Sequence, residues 1–242
     1  MLAKKKDREE QPRSGYFYES ARPFTSLIFI LPMLVAYQGG ILAMGADKVH
    51  NGAADWLQHV LSTIGIGNFV VLPAITCALL LGWHYVKRLP WKFSPWVLLG
   101  MLAECGVWAA LLWCIFRGWA YLVGSAMIIP FELAQLLGFF GAGIYEELLF
   151  RVILLLGVAA VIKSAGAPQR ASLITAVIVS AVLFAVAHYQ IITPGGWPFS
   201  WAGVTFHLIL GVVFGILFVL RGFGITVGTH ALYNILVMLL KV

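Results

Sequence analysis

Three ionisable residues lie close together inside a long apolar run: Glu146, Glu147 and Arg151. An ionisable side chain at mid-bilayer costs about 2.5–3.5 kcal/mol on insertion scales, so such groups are rare without a role. Glu147 and Arg151 are four residues apart on a helix and share a face, which favours an ion pair. Glu146 is rotated by about 100° from Glu147 and points elsewhere. The spacing therefore predicts one neutralised carboxylate and one that is available for chemistry.

Two later apolar runs also carry polar side chains. His188 ends the run that contains Phe184, and the final run contains His230 and Asn234, which share one helix face. Such residues rarely face lipid, so we expect this face to look into the bundle. Hydrogen bonding between helices is the structural alternative for these polar groups. Two further candidates for lining the same cavity are Phe184, which lies four residues before His188 on the same face, and His207, in the apolar run between those two runs.

These residue types suit the hydrolysis of a peptide bond. Glu146 would act as a general base on water with help from His188, while His230 and Asn234 would donate hydrogen bonds to the oxyanion. That mechanism needs no cofactor. A metal mechanism stays open, because Glu146, His188 and His230 could hold a divalent ion such as zinc with a fourth position for water.

Other intramembrane protease classes do not fit the sequence. It contains no HExxH for a helical zinc site. It has no Gly-x-Ser-Gly for a serine nucleophile, and the apolar runs contain no Asp for an aspartyl dyad.

The order and spacing of these motifs resemble those of the CPBP intramembrane proteases. The similar elements are Glu146–Arg151, Phe184–His188 and His230–Asn234, and the resemblance covers roughly residues 134–242. The family includes type II CAAX prenyl endopeptidases and bacterial Abi and bacteriocin-processing or self-immunity proteins. The resemblance implies a site of catalytic Glu146 with His188, His230 and Asn234, and Glu147 and Arg151 as accessory or structural residues. It leaves the choice between a glutamate and a metal mechanism open.

The elements that position these residues must be membrane helices. The chain of 242 residues is 61% hydrophobic and 11% charged, with a mean hydropathy of +0.93. Soluble domains contain roughly 25% charged residues, so lipid must surround most of this chain. We predict an all-α polytopic bundle of seven or eight transmembrane helices. The apolar runs lie at about 24–45, 66–86, 96–120, 134–162, 171–190, 201–220 and 223–241.

The predicted organisation is a charged cytoplasmic tail at 1–22 followed by a single transmembrane domain at 23–242. Residues 121–133 would form an interfacial helix or an additional crossing. With a cytoplasmic N-terminus, twelve of the 16 Lys and Arg residues lie on the cytoplasmic side and three on the opposite side. This asymmetry obeys the positive-inside rule.

We therefore expect an integral multi-pass protein, in the plasma membrane of a prokaryote, that acts on a membrane-associated or lipidated peptide. Its partners would be membrane lipid and that substrate. The net charge of +6 does not indicate nucleic-acid binding, because the basic residues lie between the apolar runs. Two alternatives remain: a non-catalytic scaffold or immunity protein that binds a peptide in the same cavity, and a proton-coupled transporter.

The predicted topology can be tested by labelling a cysteine in the tail. Glu10→Cys, with Cys77, Cys105 and Cys114 replaced by Ser, should react with a membrane-impermeant maleimide only after the cells are permeabilised. Reaction in intact cells would reverse the predicted orientation.

Overall fold

The computed structural model describes residues 15–49, 51–66, 70–124, 132–189 and 196–240. Their regular elements are helices, together with an isolated bridge between Tyr189 and Trp197. The α-helices are α1 (Tyr16–Ser20), α2 (Pro23–Met44), α3 (Gly52–Thr63), α4 (Val71–Val86), α5 (Pro95–Val123), α6 (Leu133–Gly141), α7 (Leu156–Ser164), α8 (Gln169–Ala187), α9 (Trp201–Arg221) and α10 (Phe223–Leu240).

The all-α prediction is confirmed, whereas the number of crossings is not. Five of the described helices are long and apolar enough to cross a membrane: α2, α5, α8, α9 and α10. Helix α4 is apolar but has only 16 residues. The apolar run at 134–162 corresponds to a helix that contains two π-helical stretches. The seven or eight crossings therefore remain a prediction.

Two predicted segments fall partly outside the described residues. The first 14 residues of the tail lie there, as do residues 125–131 of the proposed interfacial helix. The described end of the tail contains α1, in which Ser20 is buried. The stretch between α2 and α4, which the sequence analysis left unassigned, contains the short helix α3.

Helical backbone runs without a break from α6 to α7 and includes two π-helical stretches, Ala142–Glu146 and Leu148–Leu155. We call the whole segment, 133–164, the composite helix. A π turn pairs residues i and i+5, and such turns occur frequently at functional sites. Ser180 on α8 donates a 2.7 Å hydrogen bond to the carbonyl of Phe150 within the second stretch. The motif with Glu146 and Glu147 therefore lies on a widened helix that neighbouring side chains support.

The composite helix lies between two apolar clusters. Leu148 belongs to a cluster formed mainly with α2, α3 and α4, whereas Phe150 belongs to a second cluster with α5, α8, α9 and α10. Many large apolar side chains point away from both clusters. On α5, for example, Leu99, Leu102 and Val107 are more than half exposed. An apolar outer surface of this kind suits lipid contact, and the chain is an integral multi-pass membrane protein.

A polar cluster holds α1 against the turn between α9 and α10. The Arg221 guanidinium pairs with Glu104 on α5, with nitrogen–oxygen distances of 2.6 and 2.7 Å, and donates to Ser20 at 2.9 Å. Tyr16 also donates to Glu104. Burial and the hydrogen bond to Glu104 raise the pKa of Tyr16, so the phenol keeps its proton. The last residues of the tail are therefore part of the folded bundle.

Small residues allow the helices around the composite helix to approach closely. A Cβ atom added to Gly211 on α9 would lie 2.8 Å from the Cα of Ala181 on α8. One added to Gly143 would lie 2.8 Å from the carbonyl oxygen of Val227 on α10. Backbone atoms cannot move aside as a flexible side chain can, so these glycines serve helix packing.

Gly211→Ala should therefore lower the stability of the protein in detergent. Overpacking of this kind typically costs about 1–3 kcal/mol, because neighbouring backbone must shift. Gly106→Ala is the matched control, since no atom lies within 4 Å of the added Cβ. Thermal unfolding of both variants measures the difference, and equal stability would contradict the close packing of α8 and α9.

Candidate active site

A cavity of about 620 Å³ contains all the residues that the sequence analysis placed in or beside the active site. These are Glu146, His188, His230, Asn234, Phe184 and His207. They come from the composite helix, α8 and its C-terminal cap, α9 and α10. Glu147 and Arg151 lie behind the cavity wall and are completely buried. The predicted site residues therefore line the cavity, whereas the predicted accessory pair of Glu147 and Arg151 lies behind its wall.

Glu146 projects into the cavity and has two different oxygen environments. Its Oε1 accepts a 2.8 Å hydrogen bond from the side-chain amide of Asn51. Its Oε2 lies 3.6 Å from His188 Nε2 and 3.8 Å from His230 Nε2. Both separations are too long for direct hydrogen bonds, and Oε2 accepts none from the described residues. One carboxylate oxygen is therefore held, and the other faces two imidazoles.

Hydrogen bonds on the opposite ring nitrogens fix how the two imidazoles face Glu146. His188 Nδ1 lies 2.7 Å from the carbonyl oxygen of Phe184, and His230 Nδ1 lies 2.8 Å from Glu147 Oε1. A carbonyl and a carboxylate oxygen only accept, so each Nδ1 carries the proton. In the neutral rings Nε2 has a lone pair, and both lone pairs face the side of Glu146 that carries Oε2.

Glu147 joins two parts of the site. Its Oε2 lies 3.0 Å from Arg151 Nε, and its Oε1 accepts from His230 on α10. Arg151 also donates from Nη2 to the carbonyl of Gly211, at 3.4 Å. Arg151 therefore pairs with Glu147, the partner that the spacing predicted. The Glu147 carboxylate also holds His230, which lines the cavity.

Aromatic rings hold the charged and polar groups in place. The guanidinium carbon of Arg151 lies 4.6 Å above the ring centre of Phe184, within cation–π range. Phe184 also contacts His188, with ring centres 4.6 Å apart. The His230 ring stacks on Phe214 at 4.6 Å with 17° between the planes. Phe184 therefore separates the buried cation from the cavity and supports a cavity histidine.

His207 lies next to His188, with ring centres 4.4 Å apart. Its Nδ1 lies 2.9 Å from the carbonyl oxygen of Gly203 and 3.0 Å from the Tyr189 hydroxyl. These contacts place His207 as a wall residue that packs on His188. Asn234 lines the same cavity.

Sequence reasoning missed Asn51, which lies 95 positions before Glu146. The local signal in the sequence is a helix N-cap: Asn51 precedes Gly-Ala-Ala-Asp, and its Oδ1 accepts from the backbone N–H groups of Ala53 and Ala54. Nothing in that signal indicates the contact with Glu146. Lys48 and Glu132 also line the cavity and were not predicted.

The predicted metal set, Glu146, His188 and His230, is spaced slightly wider in this arrangement than an ideal tetrahedral zinc site. Zinc bonds of about 2.0–2.1 Å in tetrahedral geometry place neighbouring ligand atoms about 3.4 Å apart. The distances from Glu146 Oε2 to the two imidazoles are longer, and no group of three or more His, Cys, Asp or Glu within the described part of the chain could hold a metal ion. We therefore derive no step through a metal, and metal dependence remains untested.

Comparison with known families identifies the type of domain that carries these residues. Residues 128–236 match a family model described as Type II CAAX prenyl endopeptidase Rce1-like. This segment is similar to the Rce1-like type II CAAX prenyl endopeptidase domain, which matches the CPBP/CAAX protease family. The resemblance recognised from the three motifs is thereby confirmed. The Rce1-like segment contains all three motifs and leaves Asn51 outside its bounds. No curated protein and no solved structure matches the chain.

Replacement of Arg151 tests the role of the buried ion pair. Arg151→Ala leaves Glu147 buried without its cation, which typically costs about 3–5 kcal/mol. Folded yield and thermal stability in detergent should fall clearly further than in Glu146→Gln. Arg117→Ala, at an exposed position, is the control for loss of a positive charge. Wild-type stability of Arg151→Ala would rule out a stabilising role for the pair.

Proposed function

We propose that this protein is an intramembrane endopeptidase that hydrolyses a peptide bond of a membrane-associated or lipidated substrate, with Glu146 as general base. The observation that carries the proposal is the position of Glu146 Oε2. It is buried, accepts no hydrogen bond from the described residues, and faces Nε2 of His188 and of His230. The Rce1-like domain supports a CAAX-type protease activity.

The first step would be attack of water on the scissile carbonyl. A water molecule next to Oε2 can also reach an imidazole Nε2 at hydrogen-bond length, since the direct separations are 3.6 and 3.8 Å. Glu146 takes a proton from this water while the water oxygen bonds to the carbonyl carbon. The carbonyl π electrons move to the oxygen, which becomes the oxyanion of a tetrahedral intermediate.

The oxyanion needs a donor that already carries a proton. His230 Nδ1 is bonded to Glu147, so its Nε2 donates only from the imidazolium form. The Asn234 amide lines the cavity and donates without any change of protonation. We therefore assign Asn234 as the principal oxyanion donor, and His230 adds a second hydrogen bond only in its imidazolium form. Collapse of the intermediate breaks the C–N bond, and the proton on Glu146 passes to the leaving amine.

The wall of the cavity suits an apolar substrate. Next to the polar residues it is formed by Phe116, Phe206, Leu210, Tyr233 and Val237. A lipid group or an apolar peptide segment could pack there while the scissile bond lies beside Glu146. This arrangement agrees with the prenylated or membrane-associated peptide substrates that the family implies. We further propose seven or eight membrane crossings, a cytoplasmic N-terminus and a location in a prokaryotic plasma membrane.

The test of the proposal compares Glu146→Gln with Glu19→Gln, which removes a carboxylate on α1, outside the cavity. Both variants and the wild-type protein are reconstituted in liposomes with a prenylated or unprenylated CAAX peptide. Glu146→Gln should keep its fold and lose turnover by a factor of about 10²–10⁴, because the general base is gone. Glu19→Gln should cleave as the wild-type protein does.

The results of this experiment distinguish the glutamate mechanism from the scaffold, transporter and metal alternatives. Full activity of Glu146→Gln would refute its role as the base. Peptide binding without cleavage by the wild-type protein would favour the scaffold or immunity alternative, and proton-coupled uptake into the liposomes would favour the transporter. Loss of activity with a strong chelator, restored by zinc, would select a metal mechanism instead of the one proposed.

A further inference from the structure

Asn51 connects the first part of the chain to Glu146. It is buried, at 8% exposure, in the link between α2 and α3, and its Nδ2 donates to Glu146 Oε1 at 2.8 Å. Among the described residues this amide is the side-chain group that holds Oε1. The contact joins Glu146 to a segment outside the Rce1-like domain, which begins at residue 128.

The orientation of the Asn51 amide follows from its second role. Oδ1 accepts from the backbone N–H of Ala53 and of Ala54, each at 3.1 Å, and so caps the N-terminus of α3. Because Oδ1 is used as an acceptor, the NH₂ group must be the end that faces Glu146. The amide therefore acts as a donor toward the carboxylate. Helix α3 packs against the π-helical stretch Ala142–Glu146, which keeps donor and acceptor together.

We infer that Asn51 is a positioning residue for the catalytic carboxylate, an inference that rests on the proposed function. The Asn51 amide holds Oε1, so the carboxylate plane is fixed and Oε2 stays on the side of His188 and His230. A hydrogen bond to the charged form also favours the ionised carboxylate, which is the form that a general base requires. Without this donor the carboxylate can rotate about its side-chain torsions, and Oε2 leaves the position that attack requires.

The two roles of Asn51 can be separated by a pair of substitutions. Serine is a good N-cap, but it is too short to reach Glu146, so Asn51→Ser keeps the cap of α3 and loses the donor. Asn51→Ala loses both. A purely structural role predicts that activity follows stability, with Asn51→Ser close to the wild-type protein in both respects.

The positioning role predicts a different pattern. Asn51→Ser should unfold within a few degrees of the wild-type protein, whereas its kcat on the CAAX peptide should fall roughly 10–100-fold. Its KM should change less than about threefold, because the apolar wall of the cavity is intact. Asn51→Ala should show the same loss of kcat together with a lower unfolding temperature.

The outcomes distinguish this inference from the proposed function. A wild-type protein that does not cleave the peptide overturns the proposed function, and the positioning role with it. Cleavage by the wild-type protein, with unchanged kcat in a folded Asn51→Ser, overturns the positioning role alone. A loss confined to KM would assign Asn51 to substrate binding and would also contradict the inference.

Discussion

Burial of the Glu147–Arg151 ion pair is the interaction on which the rest of the site depends. Both side chains are fully buried, and removing two charges from water costs several kcal/mol per ion before their attraction is counted. The pair lies on a widened helix among Phe150, Phe184 and Phe214, whose rings surround the guanidinium. Because both groups must find their partners inside the bundle, the composite helix has one acceptable rotation, and that rotation presents Glu146 to the cavity.

The Glu147 carboxylate also orients a histidine on α10, across the cavity from the composite helix. Glu147 Oε1 accepts a hydrogen bond from His230 Nδ1, and this contact turns His230 Nε2 toward Glu146. The backbone carbonyl of Phe184 does the same for His188 on α8. The Glu147 carboxylate and the Phe184 carbonyl therefore give both imidazoles the same tautomer, with the proton on Nδ1. In each ring the Nε2 lone pair faces the side of the site where water would be activated. Partners that orient a functional histidine in this way are a general feature of histidine sites.

The motifs and the all-α class could be predicted because their signals are local. Polar side chains inside apolar runs are conspicuous, and the four-residue spacing of Glu147 and Arg151 places them on one face whatever surrounds the helix. The π-helical stretches could not be predicted, since they depend on packing against α8 and α10. The contact of Asn51 with Glu146 joins residues 95 positions apart, and a single sequence carries no signal for such a pair. The number of crossings also stayed open, because length and hydropathy do not determine whether α4 spans the bilayer.

The central claim is that Glu146 activates water and does not attack the peptide itself. It is tested most directly by a single turnover in H₂¹⁸O with enzyme in excess over a CAAX peptide, followed by mass spectrometry of the product and of the enzyme fragment that contains Glu146. A general base predicts one ¹⁸O atom in the new carboxyl terminus of the product and none in Glu146. An unlabelled product together with ¹⁸O in the Glu146 carboxylate would show nucleophilic attack through an anhydride and would contradict the account.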